Sequence, residues 1–152
     1  MDLQSMLNEQ AQAGTGGSFR FEMPVRWGDH DSLDHVNNTV YFRFMEETRV
    51  HCARACGIGG PETTRNIVLA NVSCTFLRPI HWPAIVLIEK RLLKVGRSSV
   101  EFEIEISVKG EEGLCARAHT VVVGIDRETG RSSPWSQTEL EGMAKVFAAP
   151  EA

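Results

Sequence analysis

An α+β domain with an antiparallel sheet is predicted by three features of this chain of 152 residues. One long amphipathic helical pattern lies ahead of the middle, four strand-like segments follow it without interruption, and short turns join the later segments. Hairpin turns pair neighbouring strands antiparallel, because a parallel pair needs a long crossover. With 42% hydrophobic residues the chain can build one proper core and is too short for two comfortable ones.

Residues 1–18 combine Gln, Asn, Ala, Gly and Ser and offer too little apolar surface to repay ordering, so they are expected to form a mobile leader to a single domain over 19–152. From Phe19 to Trp27, Phe21, Met23 and Val25 alternate with Arg20, Glu22 and Pro24, the period of a strand. Pro24 cannot donate to a ladder, which predicts an edge position. After Asn38 the residues Tyr41, Met45, Thr48, Cys52 and Ala55 recur at steps of four and three, and Gly57 ends the pattern, so a helix is predicted from Asn38 to Cys56. Glu46 and Arg49 are spaced to pair on its surface. Gly59, Gly60 and Pro61 then mark a loop.

The predicted strands are Ile67 to Arg78, Ala84 to Val95, Ser98 to Lys109 and Leu114 to Asp126. In the third of these, Val100, Phe102, Ile104, Ile106 and Val108 alternate with Glu101, Glu103 and Glu105, one face for the core and one for water. Strands of this length reach about 36 Å at ~3.3 Å per residue. The helix spans about 28 Å at ~1.5 Å per residue, so a strongly curved sheet can wrap its whole length. Ser136 is a candidate N-cap for a short final helix to Phe147.

Twenty acidic and 16 basic side chains give a formal charge of -4 without a long block of either sign, so nucleic acid is not an expected partner. Cys52, Cys56, Cys74 and Cys115 contain no CxxC pair and read as free core thiols. No apolar run approaches a membrane span, and a soluble, cytoplasmic protein without a membrane partner is expected.

Chemistry is expected to begin in the stretch Arg26 to Arg49, where three aspartates, two histidines and two asparagines precede the helix. A polar turn feeding a helix N-terminus places a carboxylate from Asp29, Asp31 or Asp34 beside unpaired backbone N–H groups, the pairing that acyl transfer uses. The same residues also suit an ordinary capped loop, with Asn37 or Asn38 as the N-cap. A metal site from Asp29, His30, Asp31, Asp34 and His35 is a weaker reading, because the histidines are five apart across a turn and no distant His or Cys group completes a set. No Gly-x-Ser-x-Gly elbow supports serine catalysis.

The order Trp-Gly-Asp-His-Asp, then His-Val-Asn-Asn, then Val-Tyr-Phe-Arg-Phe-Met-Glu-Glu-Thr-Arg resembles the signature of hotdog-fold thioesterases of the 4-hydroxybenzoyl-CoA thioesterase type. Thr75-Phe76-Leu77-Arg78-Pro79-Ile80 resembles the family's strand ending in Arg-Pro, and Val95-Gly96-Arg97-Ser98-Ser99 its Gly-x-Ser-Ser hairpin, so the resemblance covers residues 19 to 135. It implies a hotdog fold, a curved antiparallel sheet wrapped around one long helix, and dimers or tetramers whose sheets join edge to edge with sites at the subunit junction. It implies an acyl-CoA thioesterase in which Asp31 is the catalytic carboxylate and the Asn38 amide, beside Asn37, the oxyanion donor. One position departs from the family pattern: Asp34 stands where a glycine is usual, and aspartate enters the left-handed region less easily.

His35 is a secondary candidate for the base. The phosphates of coenzyme A need cations, for which Arg78, Lys94, Arg97 and Arg131 are available; the Gly-x-Ser-Ser element favours Arg97 and Ser98. Coenzyme A enters as part of the substrate, and no separate cofactor or metal is expected. Two other functions fit the same residues: a non-catalytic acyl-CoA binding module, and an enoyl thioester hydratase in which His35 works with Asp31 or Asp34.

Overall fold

The computed structural model describes residues 1–151. In chain order the elements are α1 (Leu3–Ala13), β1 (Ser18–Pro24), α2 (Asn38–Ala55), β2 (Arg65–Phe76), β3 (Ile85–Val95), β4 (Ser99–Val108), β5 (Leu114–Asp126) and α3 (Gln137–Phe147), with a 3-10 turn at Trp27–Asp29. The strands form one antiparallel sheet in the order β1-β3-β4-β5-β2. Pro24 lies on an edge strand, where its missing N–H leaves no gap in a ladder. Two of the predicted turns, β3 to β4 and β4 to β5, are hairpins. The segment 79–83 is not one, because β2 pairs with β5. That segment is instead caught by the loop ahead of α2, through Val36 N–H donating to the Ile80 carbonyl at 2.8 Å and Trp82 N–H donating to His30 Nε2 at 2.6 Å.

α2 forms where the periodicity places it. Tyr41, Phe44, Met45, Thr48 and Cys52 are buried against the inner face of the sheet, and the Thr48 hydroxyl donates to the Phe44 carbonyl at 2.8 Å. At the last turn Cys56 is buried in place of Ala55, which is exposed. On the surface Arg43 pairs with Glu47 at 2.9 Å; the anticipated Glu46 and Arg49 pair does not close to 4 Å among the described residues. The core has two halves. Around the first half of α2 lie Met23, Val36, Phe44, Ile80, Ile88 and Ile106; around the second lie Leu7, Cys52, Leu92, Phe102, Val122 and Phe147. The four cysteines are free, and three are buried. Among the described residues no helix is long and apolar enough to cross a membrane.

The expected mobile leader is a helix instead. Asp2 caps α1 by accepting the Ser5 N–H at 2.8 Å, and Leu7 is buried in the second half of the core. The Asn8 side chain docks on Val95, accepting its N–H at 2.7 Å and donating to its carbonyl at 3.0 Å. Gln4 donates to the same carbonyl at 3.1 Å. Amides that read as solvated in the sequence thus pair with main chain beyond the end of β1.

At the other terminus Ser136 and Glu139 form a capping box on α3. A Cβ on Gly142 would lie 1.8 Å from the Cys56 carbonyl oxygen, so only glycine lets α3 close on the end of α2. Arg65 ties α3 to β2 with two hydrogen bonds to Glu139 at 2.8 and 2.9 Å, both side chains being largely buried. Burial alone pushes the Glu139 carboxyl up, but the bonds from Arg65 and Ser136 and the Arg65 charge outweigh it and hold the group below its ordinary value. Arg65→Met is therefore expected to lower stability by about 2 kcal/mol at neutral pH. A depressed folded pKa contributes fully above the ordinary value of 4.5 and is lost as pH falls through the folded one. Urea unfolding of both proteins at pH 7 and at pH 3 is expected to show the gap narrowing in acid.

Candidate active site at the start of the long helix

Asp29 anchors the loop that enters α2. Its carboxylate is 2% exposed and accepts the Arg26 N–H at 2.7 Å, the Arg26 guanidinium at 3.2 and 3.3 Å and Arg43 Nη2 at 2.8 Å. Its carbonyl accepts the Asn37 N–H at 3.0 Å. One residue thereby joins the end of β1, the second turn of α2 and the residue that caps α2. The first aspartate of the motif is thus structural.

Between these anchors the chain makes a tight turn. Asp31 Oδ1 accepts the Leu33 N–H at 2.9 Å, and the Asp34 N–H donates to the Asp31 carbonyl at 3.2 Å. Asp34 has φ of 66°, the only positive value at a non-glycine among the described residues. The backbone here takes the left-handed conformation that glycine adopts most easily, so Asp34 strains this turn. The Asp34 side chain is nearly fully exposed and only approaches His30 Nδ1, at 3.7 Å. Its carbonyl accepts from His81 Nδ1 at 2.9 Å. His30 Nε2 accepts the Trp82 N–H, so that ring carries its proton on Nδ1.

Asn37 is the N-cap. Its Oδ1 accepts the Thr39 N–H at 2.9 Å and the Thr39 hydroxyl at 2.7 Å, and its carbonyl accepts the Val40 N–H at 2.9 Å. The Asn38 N–H meets no acceptor among the described residues, as expected for the first position of a helix. It sits at the positive end of the α2 dipole.

A cleft of about 190 Å³ opens beside it, lined by His35, Asn38, Tyr41, Phe76, Leu77 and Arg78 among others. Asp31 is not itself a wall of this cleft but approaches one, His35, whose Nδ1 lies 3.9 Å from Asp31 Oδ1, too long for a hydrogen bond and within ion-pair range. The Asp31 side chain is 25% exposed, and its Oδ2 has no hydrogen-bond donor among the described residues. Of the predicted site residues, His35 and Asn38 line the cleft, Asn37 caps the helix next to them and Asp31 approaches His35. Arg78 reaches the same cleft but is engaged by the β4–β5 hairpin, through Glu111 at 2.6 Å and the Gly113 carbonyl at 3.3 Å.

Arg97 and Ser98 are not brought to this site by their own chain. They form the β3–β4 turn, where their carbonyls accept from Trp135 and Gly124. Through β5, Phe76 is in register with Ala116 and Ser99 with Val123, so the two ends are seven residues, or about 23 Å, apart. Tyr41 and Phe76 line the cleft without having been singled out for it. Their rings meet edge to face at 5.0 Å, and burial pushes the Tyr41 hydroxyl up to about 12. Tyr41 was legible only as a core position, since helical spacing does not distinguish a wall from a filling. Among the described residues no group of three or more His, Cys, Asp or Glu side chains is placed to hold a metal ion.

A model of the thioesterase-like superfamily matches residues 25–146, and the chain belongs to that superfamily. Its fold is the hotdog fold, as comparison with solved structures bears out. The PA2801 protein of Pseudomonas aeruginosa is 32% identical, with a TM-score of 0.76 over 82% of this chain and 97% of that one. Slr0204, a 1,4-dihydroxy-2-naphthoyl-CoA thioesterase from Synechocystis, is 19% identical, with a TM-score of 0.76 over 86% and 98%. SAV2348 from Staphylococcus aureus, solved in complex with CoA, is 12% identical, with a TM-score of 0.81 over 90% and 89%.

Two substitutions separate the structural aspartates from Asp31. Asp29→Ala leaves Arg43 facing an empty buried position and is expected to destabilise by about 3 kcal/mol. Asp34→Gly relieves the left-handed strain and is expected to stabilise by about 1 kcal/mol. Chemical denaturation of both variants checks the pair of signs.

Proposed function

We propose that the protein is an acyl-CoA thioesterase, releasing a free acid and coenzyme A, with Asp31 as the catalytic carboxylate and the Asn38 N–H as an oxyanion donor. The observation that carries this reading is an Asp31 oxygen without a partner among the described residues, approached by His35, which lines one cleft together with the free Asn38 amide. In the reaction a water oxygen adds to the thioester carbon and its proton passes to Asp31. The charge on the carbonyl oxygen is met by the Asn38 N–H, and collapse breaks the C–S bond, the thiolate leaving as the thiol once protonated. Direct attack by Asp31, through an anhydride that water then opens, gives the same products. The helix end supports this assignment on energetic grounds, since one such donor is typically worth about 3 kcal/mol in turnover. No cofactor beyond the coenzyme A of the substrate is required.

The reading includes a homodimer or a dimer of dimers. Support comes from the two free sheet edges. The edge of β1 carries Arg20, Glu22 and Pro24, residues that discourage pairing, whereas β2 leaves Val68, Leu69 and Phe76 exposed and α2 leaves Phe42 and Val50 exposed. Pairing two copies antiparallel along β2 would carry the Arg97 end of one copy toward the Arg78 end of the other. Arg78, Arg97 and Ser98 then serve the phosphates of one coenzyme A from two subunits.

Asp31→Asn is expected to reduce hydrolysis at least ~10²-fold while leaving the unfolding midpoint within experimental error. A thiol-trapping assay across short-chain, long-chain and aromatic acyl-CoA substrates measures it. Retention of full activity on every substrate hydrolysed by the unaltered protein would remove Asp31 from the mechanism. The approach of His35 to Asp31 also favours one second reading, hydration of an enoyl thioester, and loss of crotonyl-CoA absorbance without thiol release would select it.

A further inference from the structure

At the far end of α2 from Asn38, the helix and sheet leave a small apolar cavity of about 40 Å³. Its walls include Ile58, Ile67, Val122 and Phe147, together with two cations, Lys90 and Arg49. A surface groove of about 290 Å³ between α2 and the start of β2 shares Arg49, Ile58 and Ile67 with it, so Arg49 lines both spaces.

Lys90 is anomalous in its row. On the inner face it is in register with Phe19, Ile104 and, across the sheet, Ala118 and Cys74, all apolar neighbours, yet it is 2% exposed. Its Nζ lies 4.1 Å from the centre of the Phe102 ring. The titratable groups that act on it are Cys52, Arg49 and Cys56, none of them a carboxylate, and no Asp or Glu oxygen lies within 4 Å of Nζ among the described residues. Arg49 is half-buried and has no ion pair within that distance among the described residues either, although Glu46 acts on it from farther off. Desolvating an ammonium costs more than a single cation–π contact returns. Lys90 and Arg49 thus both line one apolar hollow, and neither has an anion in contact among the described residues.

We propose that this cavity and groove bind a small carboxylate with a short apolar tail, the carboxylate held by Lys90 and Arg49 and the tail lying along Ile58 and Ile67. Apolar walls select this class over inorganic phosphate, whose hydration shell they cannot replace. The volumes suit a ligand of modest size, below that of typical drug-like molecules. The site lies on its own chain about 20 Å along α2 from Asn38, at ~1.5 Å per residue, so its existence does not depend on hydrolysis. On the thioesterase reading the ligand is of the same chemical class as the released acid, and only that link rests on the reading.

The test is an NMR titration of hexanoate, with hexan-1-ol as the uncharged control, into the unaltered protein and the Asp31→Asn, Lys90→Met and Arg49→Gln variants. Hexanoate is expected to shift resonances around Ile58 and Ile67 equally in the unaltered protein and Asp31→Asn, and to bind about tenfold more weakly in Lys90→Met. Hexan-1-ol is expected to bind weakly everywhere. Methionine matches lysine in length and removes a buried charge, so this variant is expected to melt higher than the parent. Should it fail to fold, Arg49→Gln carries the comparison, again with weakened hexanoate binding. Absence of binding to the unaltered protein, equal binding of the alcohol, or unchanged binding in the folded cation variants would each overturn the proposal. Binding lost in Asp31→Asn but kept in Lys90→Met would do so too, by locating the acid at the other end of α2, and would leave the hydrolase reading standing.

Discussion

The buried carboxylate of Asp29 is the constraint on which the site depends. The loop from His30 to Val36 is polar and short of core contacts, Val36 being its one fully buried apolar side chain. Ordering such a loop costs on the order of 1–2 kcal/mol per residue in backbone entropy, which its own contacts cannot offset. Asp29 fixes both ends at once, taking charge-assisted bonds from Arg26 and Arg43 and holding the Asn37 N–H on its carbonyl. The direction in which α2 starts, and hence the aim of the Asn38 N–H, follows from that clamp. It also divides the aspartates by duty. Asp29 is consumed by the clamp and Asp34 holds its carboxylate out in solvent, which leaves Asp31 as the one that is partly buried with an outer oxygen free.

Packing along α2 has a matching asymmetry. The first half of the helix meets a filled core in which Phe44, Ile88 and Ile106 have almost no exposure, and a filled core is what holds a helix end still. The second half is closed by the two terminal helices, which bury Leu7 and Phe147 in it. That closure is looser: it leaves a cavity and retains a lysine where the sheet pattern calls for an apolar residue. Close packing beneath the helix therefore coincides with the Asn38 end of α2, and the small apolar cavity with the other end.

Much of this was legible in the sequence because periodicity reports burial directly. The four later strands agree with prediction to within two residues at each end, and Asn37 and Ser136 act as the caps their residue types suggest. What was hidden depends on contacts distant in sequence. α1 was hidden because Asn8 and Gln4 order it by bonding Val95, about ninety residues away, and composition cannot record a partner of that kind. Lys90 was hidden because a single lysine in an alternating strand reads as a solvent-facing residue; only the register with Ile104 shows which way it points. The role of Asp29 was open for a related reason, since nothing local distinguishes three aspartates until Arg43 is brought to one of them.

The separation of Arg78 from Arg97 carries the last step. Both belong to motifs that resemble one family's, yet the register through β5 keeps them at opposite ends of a stiff sheet. No loop movement of a few ångströms closes a gap of about 23 Å along paired strands. If the two groups serve one ligand, the sheet itself must be doubled so that its ends alternate, which is the effect of a twofold axis beside β2. The apolar exposure of that strand and the charged residues on the opposite edge then have a common explanation. On this reading a single copy holds the carboxylate and the amide but only half of the charge that a nucleotide-bearing thioester requires, so assembly and substrate capture are one requirement.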